Sequence, residues 1–465
     1  MIFRNGVYDI TEFVHKHPGG AEKILLGAGK SVEPFWRLYG QHLSLPHISH
    51  MLEDMRIGNL AETDMSCSPI DAADDPYRID RQIERHPGLN FVSQQPANAE
   101  TNPQLLAENF LTPNELFFVR HHFPVPDPAD PKASELVISL AEESKFFPLE
   151  LSVENLQSEF PQHTVMATIQ CTGNRRTGFR SVSNAPGDVK GLPWTIGAIS
   201  NAKWSGPRLG DVIVKFFGSR ENIPPSIKHV HLTGRDNDGN GQFYAVSIPI
   251  ERALDERSDV ILALKMNDEP LPLDHGAPIR VIVPGAAGCR SVKWLNKIDL
   301  SSKESDAFWQ KEDYKSFSPS QGWNGLDFNS APSVMSTPVQ SAICSVSIKT
   351  DEATNNSYAV LKGYAFSGGG NAIIRVDVSG DGGKTWSSAN LEGEHEEVSN
   401  GQLPYRQTYS WTLWEAVIDL PKERNGGDEF VVKAIDETYN SQPEKPDGIW
   451  NVRGILNNSW HRVKA

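Results

Sequence analysis

Val165-Met166-Ala167-Thr168-Ile169-Gln170 runs as an apolar, β-branched strand into Cys171-Thr172-Gly173-Asn174-Arg175-Arg176. A strand that delivers a cysteine into a glycine-containing loop beside two guanidinium groups favours a thiolate, and thiolates bind soft metals well. A buried, inert cysteine is the commoner fate of that residue type, so the neighbouring residues decide between the two. Outward from this junction, short β-rich runs (Val137 to Leu140, His229 to Leu232, Ile279 to Val283) alternate with Gly/Pro-rich turns. They predict a mixed α+β domain with long functional loops over 76–328. Beyond a polar, Pro-containing join, strand-like runs recur at regular spacing from Cys344 to Ala434, which predicts an immunoglobulin-like β-sandwich over 329–465.

The whole chain has 465 residues, about three domains at roughly 100–200 residues each. Its formal charge of −15 disfavours a general nucleic-acid binder and favours attraction to a cationic partner. No unbroken apolar run reaches the roughly 18 residues of a membrane span. Cys67, Cys171, Cys289 and Cys344 are far apart and form no CxxC pair, so neither a disulfide scaffold nor a zinc ribbon is expected. Asn5-Gly6 before Val7-Tyr8 reads as a hairpin turn, preceded by only four residues; the expectation is that the chain starts inside a domain. No targeting signal is readable at the start.

Residues 1–60 form helix-like pieces (Ile10 to His15, Ala21 to Leu26, Val32 to Tyr39, His47 to Met55) broken by Pro18-Gly19-Gly20 and Gly27-Ala28-Gly29. A stretch over 61–75, rich in Asp, Ser, Ala and Pro, reads as a flexible linker. Within the first module, His17-Pro18-Gly19-Gly20 is followed by His42, with Phe13, Ile24, Leu25, Phe35, Trp36 and Leu38 available for an apolar pocket. Two imidazoles can hold haem iron while glycines allow close backbone approach. The segments Phe13-Val14-His15-Lys16-His17-Pro18-Gly19-Gly20 and Leu38-Tyr39-Gly40-Gln41-His42 resemble the cytochrome b5 family. That resemblance implies haem b ligated by His17 and His42, with His15, His47 and His50 as competing histidines.

Further motifs accompany Cys171: Phe117-Phe118-Val119-Arg120-His121-His122, Gly191-Leu192-Pro193-Trp194, Asp274-His275-Gly276-Ala277-Pro278-Ile279-Arg280 and Ser291-Val292-Lys293-Trp294. Together, in this order, they resemble the sulfite oxidase family across essentially the entire chain. The resemblance implies a Mo-molybdopterin cofactor with Cys171 as the protein thiolate on molybdenum. Phe118, Val119, Arg120, His121, His122, Asp236, His275, Arg280, Ser291, Val292 and Lys293 would hold the pyranopterin, whose phosphate and ring edges need cations and hydrogen bonds. Asp236 lies in a polar loop, where a solvated turn aspartate is the alternative. Arg120, Arg176, Lys190, Trp194, Tyr314 and Arg453 would form the substrate site, with Asp313 orienting one of them.

The activity implied is oxygen-atom transfer converting sulfite to sulfate. Electrons would pass through haem to cytochrome c, in a homodimer of the mitochondrial intermembrane space. Sulfite is a small anion that guanidinium forks meet bidentately. The alternatives are a similar enzyme whose haem module is non-functional and which uses oxygen or another acceptor, a nitrate-reductase-like molybdoenzyme, and a non-enzymatic binding protein built on haem and β-rich modules. The last leaves Cys171 and its arginines unexplained.

Overall fold

The computed structural model describes residues 1–17, 21–25, 27–29, 31–33, 36, 42, 45–61, 75–142, 147–352, 354–392, 407–420 and 429–464. The glycines of 18–20, Phe35, 38–41 and most of the expected linker, with Cys67, lie outside the described residues.

At the front, Ile2–Phe3, Gly6–Tyr8 and Arg56–Asn59 make a three-stranded antiparallel sheet. The turn expected at Asn5-Gly6 is one residue earlier: Gly6 pairs with Phe3, and Arg4 takes the left-handed conformation at φ 53° that a two-residue hairpin loop requires. A small core of Tyr8, Ile10, Val14, Ile24 and Leu52 lies against it. The helix Pro46–Asp54 starts with proline in its first turn, where the missing N–H costs nothing. Its Glu53 accepts a 3.1 Å hydrogen bond from the Tyr8 hydroxyl, tying helix to sheet.

In the middle of the chain, Gln162–Gln170 pairs along its full length with Ile199–Pro207. A separate five-stranded sheet runs in the order Phe243–Pro249, His229–Asn237, Leu295–Ser301, Glu135–Leu140, Leu149–Ser152, with one parallel pair between its third and fourth strands. The helix Leu209–Phe217 buries Leu209, Val212, Ile213 and Phe217, the one-face spacing of an amphipathic helix, in the same core as that sheet. Gly218 ends the helix at φ 80°, a left-handed cap that costs glycine nothing. Full burial of each such side chain is worth about 1.5–3 kcal/mol.

The C-terminal part is two four-stranded sheets. One holds Gln340–Thr350, Ser357–Phe366, Thr412–Asp419 and Asn390–Glu392; the other holds Ser387–Ser388, Ile373–Ser379, Glu429–Asp436 and His461–Lys464. Val376, Val378, Phe430 and Val432 of one pack with Ile343, Leu361 and Trp414 of the other, which is the sandwich expected from the strand spacing. Among the described residues no helix is long and apolar enough to cross a membrane.

Candidate active site

Strand Gln162–Gln170 ends at Cys171, and the loop after it is held on every side. Cys171 N donates to Ala198 O at 3.0 Å and Leu456 N donates to Thr172 O at 2.7 Å. Asn174 bridges the Ala198 N–H, at 3.1 Å, and the Tyr364 hydroxyl, also at 3.1 Å. Arg175 is a non-glycine residue at φ 64°, a conformation that costs free energy and persists only where surroundings enforce it. Its buried guanidinium donates to Ser341 O and Trp460 O, and Asn457 donates to its own carbonyl at 2.9 Å. Burial pulls its pKa down to about 10, leaving it a cation near neutral pH. The cysteine loop is therefore fastened by residues of the β-sandwich.

Cys171 opens onto a cavity that is partly open to solvent. Phe118, Arg120 and His122 line it while Val119 and His121 do not. Val119 is buried with Leu89, Ala97 and Ala99. The His121 ring lies 3.7 Å from an Asp80 oxygen and 3.6 Å from an Asp274 oxygen. Neither Val119 nor His121, both expected to hold the cofactor, is in the cavity wall. Asp236, His275, Arg280, Ser291, Val292, Lys293 and Tyr314 complete the predicted part of the wall.

The electrostatics of this wall follow from burial. His275 is driven down to about 3 and Arg280 to about 9, both by loss of solvent. His122 is also pushed far down by burial, with Arg120 adding to the effect, and is a neutral imidazole. Burial raises the Tyr314 phenol, so its hydroxyl keeps its proton; it lies 2.7 Å from His122 Nε2. Lys293 is lowered, first by burial and then by Arg280, and donates to Asp274 O at 3.0 Å. Asp274 is in turn gripped by Arg85 at 2.8 and 2.7 Å. Burial raises Asp236 to about 7, against the pull of Lys293.

The other predicted residues stand around the cavity rather than in its wall. Arg176 is buried, and its guanidinium donates to Gly454 O at 2.9 Å and Leu192 O at 2.8 Å. It folds over Gly173, where a Cβ would stand 2.4 Å from its Nη2. Trp194 is wholly buried in the apolar cluster against which Cys171 packs. Asp313 is ion-paired with Arg453. Lys190 is exposed, with its ammonium 4.8 Å from the Trp323 ring centroid. Phe117, Ile169, Thr172, Tyr244, Gly288 and Cys289 line the cavity without having been singled out from sequence. Tyr244 stacks on His122 at 4.4 Å and donates to Cys289 O at 2.8 Å. Cys289, with its thiol pushed up to about 11 by burial, is a neutral neighbour of the wall. The available signals were the β-alternation around Tyr244 and the position of Cys289 beside Arg290-Ser291.

The donor set fits a pterin-borne metal. Asp236 Oδ1 and Thr172 Oγ1 are buried with no hydrogen-bond partner among the described residues. Unmet polar atoms in such a cavity are suited to a polar ligand, and Arg120, Arg280 and Lys293 match a phosphate beside the one thiol. In the front module the His17 and His42 rings lie 6.2 Å apart between centroids and 22° from parallel. Metal–imidazole bonds of about 2 Å on each side suit that spacing.

Three family models match in chain order: the cytochrome b5-like haem/steroid binding domain over residues 1–61, the oxidoreductase molybdopterin binding domain over 122–309 and the Mo-co oxidoreductase dimerisation domain over 331–465. The chain is 44% identical over 457 residues to "Sulfite oxidase, mitochondrial" of Rattus norvegicus, which covers 98% of this chain and 79% of that protein. It is 44% identical over 456 residues to "Sulfite oxidase" of Gallus gallus, covering 98% and 94%. Among solved structures, the sulfane dehydrogenase SoxCD of Paracoccus pantotrophus superposes with a TM-score of 0.62 at 25% identity, covering 87% of this chain and 92% of that one. An identity sustained from the paired histidines through the cysteine cavity to the sandwich leaves one conclusion: the chain belongs to the sulfite oxidase family.

Proposed function

We propose that the protein is a sulfite oxidase, a molybdenum-dependent oxidoreductase that converts sulfite to sulfate and passes the electrons through haem to cytochrome c. The observation that carries this reading is a single cavity in which Cys171 shares walls with Arg120, Arg280, Lys293 and Tyr314. Per turnover, sulfite and one water give sulfate, two protons and two electrons, and two cytochrome c molecules accept the electrons singly. When bound, the molybdenum pyranopterin supplies the two-electron oxygen-atom transfer and the haem the one-electron relay.

The chain's own residues bind and orient. Cys171 would be the thiolate on the metal; Arg280, Lys293 and His275 would hold the pterin's phosphate and edges, and Asp236 its ring donors. Arg120 and Arg176 supply positive charge for the anion, and the protonated Tyr314 hydroxyl is a donor for an oxygen of sulfite or sulfate. Arg176 engages carbonyl oxygens through Nε and Nη1, contacts that leave its charge uncancelled for a substrate dianion. Arg453, its charge balanced by Asp313, would lie at the outer edge of that site. His17 and His42 would clamp haem iron.

A net charge of −15 favours docking of a basic acceptor such as cytochrome c. The dimerisation-domain match over 331–465 supports a homodimer. The name of the rat relative supports a mitochondrial setting, and use of cytochrome c would make it the intermembrane space. The nitrate-reductase-like alternative is not favoured, because relatives matching nearly the whole chain are named sulfite oxidases. The test is product analysis: the molybdenum-loaded protein with ferricyanide should turn sulfite stoichiometrically into sulfate and leave nitrate untouched. Sulfite remaining unconsumed at full molybdenum loading would contradict the reading.

A further inference from the structure

Lys190 and Arg453 lie far apart in sequence and do not reach the wall of the central cavity, yet one side chain holds both. The half-buried indole of Trp323 has the Lys190 ammonium 4.8 Å from its ring centroid and the Arg453 guanidinium 5.3 Å from it. Both distances are within the roughly 6 Å over which an aromatic face attracts a cation. Its Nε1 donates to Asp188 O at 2.9 Å, which pins the irregular stretch that carries Lys190. The ring is anchored beside Phe179, Phe317, Trp450 and Val452, so its position is set by packing.

The cations it holds adjoin the substrate machinery. Arg453 also pairs with the carboxylate of Asp313, whose neighbour Tyr314 lines the cavity. The next carbonyl, Gly454 O, takes the Arg176 Nε hydrogen bond. Gly191, next to Lys190, lies so close to Arg176 that a Cβ there would be 3.1 Å from its Cζ. Exposure falls along the row: Lys190 is exposed, the Arg453 side chain is 17% exposed and Arg176 is buried. Asp313 offsets the charge of Arg453, and the row keeps the positive charge of Lys190 and Arg176, which raises the local concentration of an anion.

We infer that Trp323 is a positioning residue for anion capture, fixing Lys190 and Arg453 as an approach path for a tetrahedral or pyramidal oxyanion. This rests on the reading of the site as a sulfite site, and inorganic sulfate serves as a probe that needs no turnover. Trp323→Leu removes the aromatic face; Trp323→Phe keeps a smaller aromatic face and loses the indole N–H and its second ring. In the holoenzyme, Trp323→Leu should raise KM for sulfite about five-fold with kcat nearly unchanged, and weaken calorimetric sulfate binding by a similar factor. Trp323→Phe should recover most of both. Unchanged KM and sulfate affinity in Trp323→Leu would overturn the assignment, as would equal losses in both variants. Should Trp323→Leu not accumulate, Trp323→Phe decides: sulfate affinity within about two-fold of the parent supports the assignment and a five-fold loss contradicts it. A parent that binds sulfate but does not oxidise sulfite contradicts the proposed activity instead, and the sulfate data still decide this one.

Discussion

The cysteine cavity and the front histidine pair are built on opposite principles. The cavity is assembled from five separated stretches, at 117–122, 169–172, 236–244, 275–293 and 314, and residues of the β-sandwich fasten its cysteine loop. The histidine pair comes from the stretch matched over residues 1–61, where the described buried residues are Tyr8, Ile10, Val14, Ile24 and Leu52. The cavity is thus a product of much of the molecule, whereas the proposed haem site rests on two side chains of the front module.

That contrast can be broken by mutation. Cys171→Ser should cost at least about 100-fold in sulfite oxidation with every acceptor, measured at matched molybdenum content; retained activity would remove Cys171 from the metal. Arg176→Gln should lower kcat/KM by about 100-fold, read from steady-state kinetics with ferricyanide. His42→Ala should abolish cytochrome c reduction while ferricyanide reduction persists, because it touches only the front module; equal loss with both acceptors would erase the division of labour. Tyr364→Phe removes the hydroxyl that joins the sandwich to Asn174, for about 1 kcal/mol of stability, seen as a lower unfolding midpoint in denaturant.

A separate effect is that of pH, which acts through burial. His275 and His461 are held down to about 3 by burial, against the ordinary 6.5. Both stay neutral in the folded chain while an unfolded histidine takes up a proton. Their contribution to stability is complete above pH 6.5 and is lost as pH falls from 6.5 toward 3, at about 1.4 kcal/mol per pH unit for each. His461→Gln should flatten that decline in thermal unfolding of the holoenzyme; an unaltered slope would show that His461 does not contribute to it.

What the sequence disclosed follows the same division. Local features were legible: the strand that delivers Cys171, the sandwich strands and the motif that holds Phe118, Arg120 and His122. Tyr244 and Cys289 escaped notice because their local signals are weak and the fold alone brings them to the cysteine; the close approach of Gly288 to Gln170 O, where a Cβ would be 2.7 Å away, brings the Cys289 loop there. The hairpin turn shifted by one residue because Arg4 accepts a left-handed backbone that Gly6 was expected to supply.

The most direct test is sulfite oxidation by the purified 465-residue chain, assayed side by side with ferricyanide and cytochrome c while molybdenum and haem are quantified. The predicted result is activity with both acceptors at stoichiometric molybdenum and haem. Full loading of both groups with no sulfite-dependent reduction of either acceptor would contradict the assignment of the Cys171 cavity as a sulfite-oxidising site.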